Sequence, residues 1–169
     1  MEKRFIKNFS LYSPIKWKKM KLYLSLFLVL ILFSSCSSED ETNFKPQTEA
    51  DIIKYIADNN LNAEKTSSGL YYVINNEGSG ERPTGSSNVK VSYKGYFLDG
   101  KVFDKSNSNG ISFPLDRVIK GWTEGIPLFK EGGKGKLIVP SNLGYGSNGR
   151  GLIPGGAVLV FDINLISVN

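Results

Sequence analysis

Polar and apolar residues alternate along Val89-Lys90-Val91-Ser92-Tyr93, the period of a strand with one buried face. The pattern continues through Tyr96-Phe97-Leu98 to Asp99-Gly100, a hairpin signal, and returns along Lys101-Val102-Phe103-Asp104. Ile111, Phe113 and Leu115 alternate in a further short strand, and Lys134 to Val139 form another, stopped by Pro140. Ala157 to Ile166 is almost wholly apolar, as expected of a central strand. Upstream, Leu70 to Ile74 predicts a strand closed by Asn76-Glu77-Gly78. Helical spacing is rarer. Thr48, with Asp51 in the capping-box position and Ile52, Ile53 and Ile56 behind it, predicts a helix from about Glu49 to Asn59. It reads as a spacer packed on the domain, with partner binding or dimerisation as the alternative. Gly121-Trp122 opens a second short run through Ile126, Leu128 and Phe129. Five or so strands and one short helix make an α+β domain whose helix covers one face of an antiparallel sheet, preceded by a short N-terminal helix.

Val118-Ile119-Lys120-Gly121-Trp122 places a large flat ring at a strand-to-helix junction, where a buried indole needs a partner for its N–H. Tyr93, Tyr96, Phe97 and Phe103 precede it on strands, and Tyr145 and Phe161 follow. If these converge, the domain contains either an ordinary aromatic core or an aromatic hollow open to a ligand. Leu143 to Gly156 reads as a long Gly-rich loop carrying the apolar Leu152 and Ile153.

The beginning of the chain follows different rules. Lys3, Arg4, Lys7, Lys16, Lys18, Lys19 and Lys21 precede an apolar run from Leu22 to Phe33 that ends in Ser34-Ser35-Cys36. That run is short for a bilayer span, and its layout is that of a signal peptide over residues 1–35, a buried core helix being the alternative. The reading frame contains a second start, Met20-Lys21, that makes the signal more compact. Cys36 is the single cysteine, so it forms no internal disulfide, and a free or catalytic thiol is one reading. The segment resembles the lipobox of bacterial lipoproteins, with Phe33 where Leu is usual, and that resemblance implies that Cys36 is acylated and becomes the mature N-terminus. Residues 36–47, with Glu39-Asp40-Glu41 and Pro46, read as a flexible tether. An acidic run after a lipidated Cys also resembles the surface-export signal of lipoproteins in the Bacteroidetes. The remaining divisions are a helix and strand extension over 48–83 and a domain over 84–169.

Charge changes one expectation. The formal +5 arises from 21 Lys and Arg against 16 Asp and Glu, but residues 1–35 hold seven of the bases and one acid. Fourteen bases and fifteen acids remain, a net of −1, which argues against nucleic acid as a partner. The chain has no His, which excludes Ser-His-Asp and Cys-His sites and His-ligated metals. Gly132-Gly133-Lys134-Gly135 lacks the spacing of a phosphate loop and reads as a hairpin turn. Asp99, Asp104 and Asp162 share the domain, but Asp99 belongs to a turn and Asp162 to the last strand, a poor arrangement for paired-carboxylate chemistry. What remains is an apolar site with a few hydroxyls and one placed acid.

Five ordered blocks make the chain from about Thr84 to Val168 resemble the FKBP-type peptidyl-prolyl isomerases, immunophilins that bind macrolides such as rapamycin. They are Val91-Ser92-Tyr93-Lys94-Gly95, Asp99-Gly100-Lys101-Val102-Phe103-Asp104, Val118-Ile119-Lys120-Gly121-Trp122, Leu143-Gly144-Tyr145-Gly146 with Ile153-Pro154, and Leu159-Val160-Phe161-Asp162. The resemblance implies a curved antiparallel sheet of five to six strands wrapped around one short helix. It implies an X-Pro isomerase that needs no cofactor or metal and takes proline-containing polypeptides as substrates. The pocket it implies comprises Tyr93, Phe103, Asp104, Ile111, Val118, Ile119, Trp122, Tyr145, Ile153 and Phe161. In it Trp122 forms the floor under the prolyl ring, Tyr93, Phe103 and Phe161 form walls, the Ile119 N–H and the Tyr145 hydroxyl bond substrate carbonyls, and Asp104 lies beside the twisting amide. Three departures stand out. Asn107 and Asn109 occupy the loop where many members place an Arg that holds the acid, the Ile111 to Val118 segment is about two residues shorter than in the smallest members, and Arg150 stands near a position that is often His.

Leader and domain together resemble the isomerase lipoproteins associated with gliding motility in the Bacteroidetes, which implies a lipid-anchored protein of the cell envelope. Two other classes stay open: a non-catalytic binding module or holdase, and a structural lipoprotein of a surface machine.

Overall fold

The computed structural model of the protein describes residues 44–169. The expected signal peptide, the lipidation site Cys36 and the acidic run lie outside the described residues. Helix α1 (Glu49–Asp58) is followed by strands β1 (Glu64–Lys65), β2 (Tyr71–Asn76), β3 (Asn88–Tyr96), β4 (Val102–Lys105) and β5 (Ile111–Pro114). A one-turn 3₁₀ segment, Leu115–Arg117, leads to helix α2 (Lys120–Gly125), and two further 3₁₀ turns flank β6 (Lys134–Val139) before β7 (Leu159–Val168) closes the chain. All seven strands join one sheet in the order β1-β2-β6-β7-β3-β4, with β5 also paired to β3, and every pairing is antiparallel.

The expected fold class holds, with seven strands where five to six were predicted. The additional strand, β1, is two exposed residues with no hydrophobic alternation, so it leaves no periodic signal. The Asp99-Gly100 hairpin forms as expected, closed by Gly100 N–H to the Phe97 carbonyl at 2.9 Å. Gly132-Gly133 is a turn but not a hairpin. It leads from the 3₁₀ turn Ile126–Leu128 into β6, whose partners β2 and β7 lie elsewhere in the chain.

The sheet is covered on both faces, and strand parity decides which residue goes where. Leu137 and Val139 of β6 and Leu159, Phe161, Ile163 and Leu165 of β7 face a core built with Trp122, Ile126 and Phe129. The intervening Ile138 and Val160, with Tyr71, Tyr96 and Val158, pack instead against Ile52, Tyr55 and Ile56 of α1. This two-sided burial explains the apolar run from Ala157 to Phe161 that leads into β7. It also makes α1 part of the packed unit, started by the Asp51 carboxylate accepting from the Thr48 N–H at 2.7 Å.

Helix α2 is six residues long and contains two glycines, so local propensity opposes it. Packing supplies the reason for both. A Cβ on Gly121 would meet Val139 Cγ1 at 2.5 Å, and one on Gly125 would meet Leu137 Cδ1 at 2.7 Å. The glycines let the helix lie directly on the sheet, which sets the depth at which Trp122 sits.

Candidate active site

A cleft of about 700 Å³ opens on the α2 side of the sheet. Tyr93 of β3, Phe103 and Asp104 of β4, Ile111 of β5, Val118 and Ile119 before α2, Trp122, Tyr145 and Ile153 of the 143–156 loop, and Phe161 of β7 all line it. The ten residues singled out in the sequence therefore share one site.

Trp122 is 6% exposed and acts as the hub of the aromatic packing. Tyr93 and Phe161 meet its ring edge-on, with centroids at 4.9 and 5.1 Å, and Phe113 lies tilted at 5.3 Å. Phe103 stands edge-on to Phe161 at 5.6 Å. Such edge-to-face contacts set positive ring edges against negative ring faces and hold the walls in register. The Trp122 Nε1–H is buried and has no acceptor among the described residues.

Phe103 and Asp104 are consecutive, so a regular strand would send them to opposite faces. A bulge resolves this. Gly95 pairs with Asp104 and Tyr96 with Val102, leaving Phe103 as the extra residue, and both side chains reach the cleft. Gly95 makes the room, since a Cβ there would meet Phe103 at 2.7 Å and Phe161 at 2.9 Å.

Asp104 is held without an Arg. Its Oδ2 accepts from the Tyr93 hydroxyl at 2.6 Å and its Oδ1 from the Lys105 N–H at 2.8 Å. Burial pushes the Tyr93 phenol well above its ordinary range, and the hydrogen bond to Asp104 adds to the shift. The phenol therefore stays a donor at any ordinary pH.

Ile119 caps α2 with its carbonyl, which accepts from the Trp122 N–H at 2.8 Å. Its own N–H has no acceptor among the described residues. The half-buried Tyr145 hydroxyl is likewise unbonded among them. The 143–156 loop is folded back on itself by mutual Arg150 and Ile153 backbone bonds of 2.8 and 3.0 Å, with Gly151 and Leu152 at the tip. Leu152 is 84% exposed while also lining the cleft. The site thus combines a buried aromatic floor, edge-to-face aromatic walls, two donors without an acceptor among the described residues and one oriented carboxylate.

Phe113 and Arg117 belong to the lining and were not among the predicted site residues. Phe113 was within reach of the pattern, because it shares strand parity with Ile111. Arg117 was not, because it lies in a 3₁₀ turn where parity no longer applies.

The comparisons agree with this geometry. The family model for FKBP-type peptidyl-prolyl cis-trans isomerases matches residues 79–166. The probable isomerase FkpA of Neisseria meningitidis is 48% identical over 106 residues, covering 61% of this chain and 39% of that protein. FkpA of Escherichia coli K12 is 43% identical over 143 residues, covering 76% of this chain and 53% of that protein. The matched part thus spans about half or less of these relatives' length. Among solved structures, a peptidyl-prolyl isomerase of Pseudomonas syringae superposes with TM-score 0.64 at 33% identity, over 75% of this chain and 99% of the other. E. coli FkpA superposes with TM-score 0.66 at 32% identity, over 94% and 74%. Matched by the family model along the segment that builds the aromatic cleft, this chain belongs to the FKBP-type peptidyl-prolyl cis-trans isomerases.

Proposed function

We propose that the protein accelerates cis/trans rotation of X-Pro bonds in polypeptides folding outside the cytoplasm. The observation that carries this reading is the meeting, in one cleft, of the Trp122 floor, the unbonded Ile119 N–H and the Tyr93-held Asp104. Rotation about the amide C–N bond faces a barrier of about 18–20 kcal/mol because resonance gives it double-bond character, and X-Pro is where both isomers are populated. Resonance also loads negative charge on the carbonyl oxygen, and this charge shrinks as the amide twists. An aromatic floor and walls strip water from the planar form, which that water stabilises most. The Ile119 N–H and Tyr145 hydroxyl hold the flanking carbonyls of a bent chain, so binding energy is realised in the twisted state. Asp104 sits beside the rotating bond, and nothing in the sequence of events requires a covalent intermediate.

The test is isomerisation of a Leu-Pro or Phe-Pro tetrapeptide with and without rapamycin, beside Phe103→Ala and Asp104→Leu. Acceleration that rapamycin abolishes and both substitutions reduce supports the reading. A folded protein without acceleration sinks it and leaves a non-catalytic binding module as the better account.

For the cell, the reading is a lipid-anchored envelope protein. The Lys-rich start, the apolar run Leu22 to Phe33 and the small residues before Cys36 support it, the acidic run supports export toward the surface, and the resemblance of leader and domain together supports a role near motility machinery. Incorporation of a labelled fatty acid that Cys36→Ser abolishes is the expected result. Loss of surface spreading on deletion, restored by the wild type but not by Asp104→Leu, would tie the motility role to catalysis.

A further inference from the structure

Two cations in the cleft have no part in the reaction described above. Arg117, in the turn between β5 and α2, and Arg150, at the neck of the loop hairpin, both line the cleft and both are exposed. Among the described residues neither makes an ion pair with a carboxylate. Arg150 Cζ instead lies 5.9 Å from the centroid of the Tyr145 ring, at the outer edge of cation–π range and beside the cleft. The single acid in the lining, Asp104, already accepts a donor on each oxygen. Among the described residues the cleft thus presents two planar, permanently charged forks and no carboxylate free to meet them.

Resting on the isomerase reading, we infer that Arg117 and Arg150 are specificity residues that favour X-Pro segments with Asp or Glu beside the prolyl pair. The fork of an Arg matches a carboxylate in bidentate geometry. A cleft with apolar walls concentrates its field toward an entering chain, which raises the encounter rate of acidic segments and lowers that of basic ones. Because the guanidinium groups are exposed, each contributes only a few-fold, so the two together separate an acidic from a basic substrate by about ten-fold at low salt.

The experiment uses the full protein and acetylated, amidated peptides centred on Phe-Pro, with Glu, Gln or Lys placed before the Phe or after the Pro. Exchange rates are read by NMR, so that no coupling protease adds a preference of its own. The expected order is Glu, Gln, Lys in falling kcat/KM, compressing toward equality as salt rises from about 20 mM to about 0.5 M. In the Arg117→Gln/Arg150→Gln double variant the Glu-to-Lys ratio falls to within about two-fold. A further arm, a Gln peptide with a free C-terminus, tells a side-chain carboxylate from a terminal one. Equal rates at low salt with the Gln peptide turned over overturn this inference alone, and a Glu preference that survives in the double variant overturns its assignment to these residues. No turnover of any peptide by the folded protein removes the isomerase reading and this inference with it.

Discussion

The Tyr93 hydroxyl donates to Asp104 Oδ2 at 2.6 Å, so the acid at the cleft is oriented by the same residue that forms one of its aromatic walls. In a loop with Asn107 and Asn109 and no Arg, this bond replaces a cation as the positioning element. The consequence is that wall and acid are coupled: displacing the Tyr93 ring also releases the carboxylate.

Tyr93→Phe separates the two roles. The ring stays against Trp122 while Asp104 keeps only the Lys105 N–H. Hydrogen bonds to charged groups contribute about 1.5–3 kcal/mol, and part of that is lost from the oriented state. Isomerisation kcat/KM is expected to fall about ten-fold, mostly in kcat, with folding stability within about 1 kcal/mol of wild type. Unchanged kinetics in Tyr93→Phe beside a crippled Asp104→Leu would show that the phenol does not position the acid.

Gly121→Ala tests packing against propensity. Alanine favours a helix over glycine by about 1 kcal/mol, yet its Cβ would stand 2.5 Å from Val139 Cγ1. Overpacking of that kind costs about 1–3 kcal/mol, so after the propensity gain the substitution is expected to be net destabilising by up to about 2 kcal/mol in urea unfolding. Because the helix would ride up off the sheet and take Trp122 with it, rapamycin affinity should weaken too. A stabilised variant would mean that propensity governs this helix.

These residues also mark how far the sequence could be read. Strand parity predicted the alternation of β3, because a half-buried strand obeys period two, while β7, buried on both faces, was legible only as an apolar run with no inward set assigned. It failed at Phe103-Asp104, where only the resemblance put both in one pocket, since a bulge on β4 is a property of the β3 pairing and not of either residue. Helix α2 was visible through its Trp and aliphatics but not through propensity, its glycines being explained by Val139 and Leu137 across the core. Arg117 escaped because a 3₁₀ turn resets the facing of side chains.

Alkaline pH should reach the fold through Tyr96. Its hydroxyl donates to Asp162 at 3.1 Å and accepts from Lys136, which is also paired with Asp162, beneath α1. Burial pushes the phenol up to about 12, with Asp162 reinforcing the shift and the neighbouring Tyr55 opposing it. The folded value is raised above the unfolded one of about 10, so the unfolded chain loses its proton first. Stability from this group is complete below pH 10 and is lost as pH rises toward 12. Urea midpoints of wild type should fall through that window more steeply than those of Tyr96→Phe, and parallel curves would show that the network is not coupled to folding.

Gln47 ties the chain ahead of α1 to the base of the cleft loop. Its N–H donates to the Gly156 carbonyl at 3.0 Å, and its Oε1 accepts from the Val158 N–H at 2.8 Å. Gly156 is pressed against Pro46, where a Cβ would sit 2.6 Å from the Pro46 Cβ, and its N–H closes the loop by bonding Gly146 at 2.9 Å. Gln47→Ala leaves the Val158 N–H, on a fully buried residue, without its acceptor, a cost of about 1–3 kcal/mol. The loss should be local as well as global. Hydrogen exchange at Val158 and Gly156 should quicken more than exchange in the middle of β7, because the loop base opens before the sheet does. Since Tyr145 and Ile153 hang from that loop, KM for an X-Pro peptide should rise while kcat changes less. Uniform exchange across β7 would mean instead that Gln47 serves the whole fold and leaves the loop to hold itself.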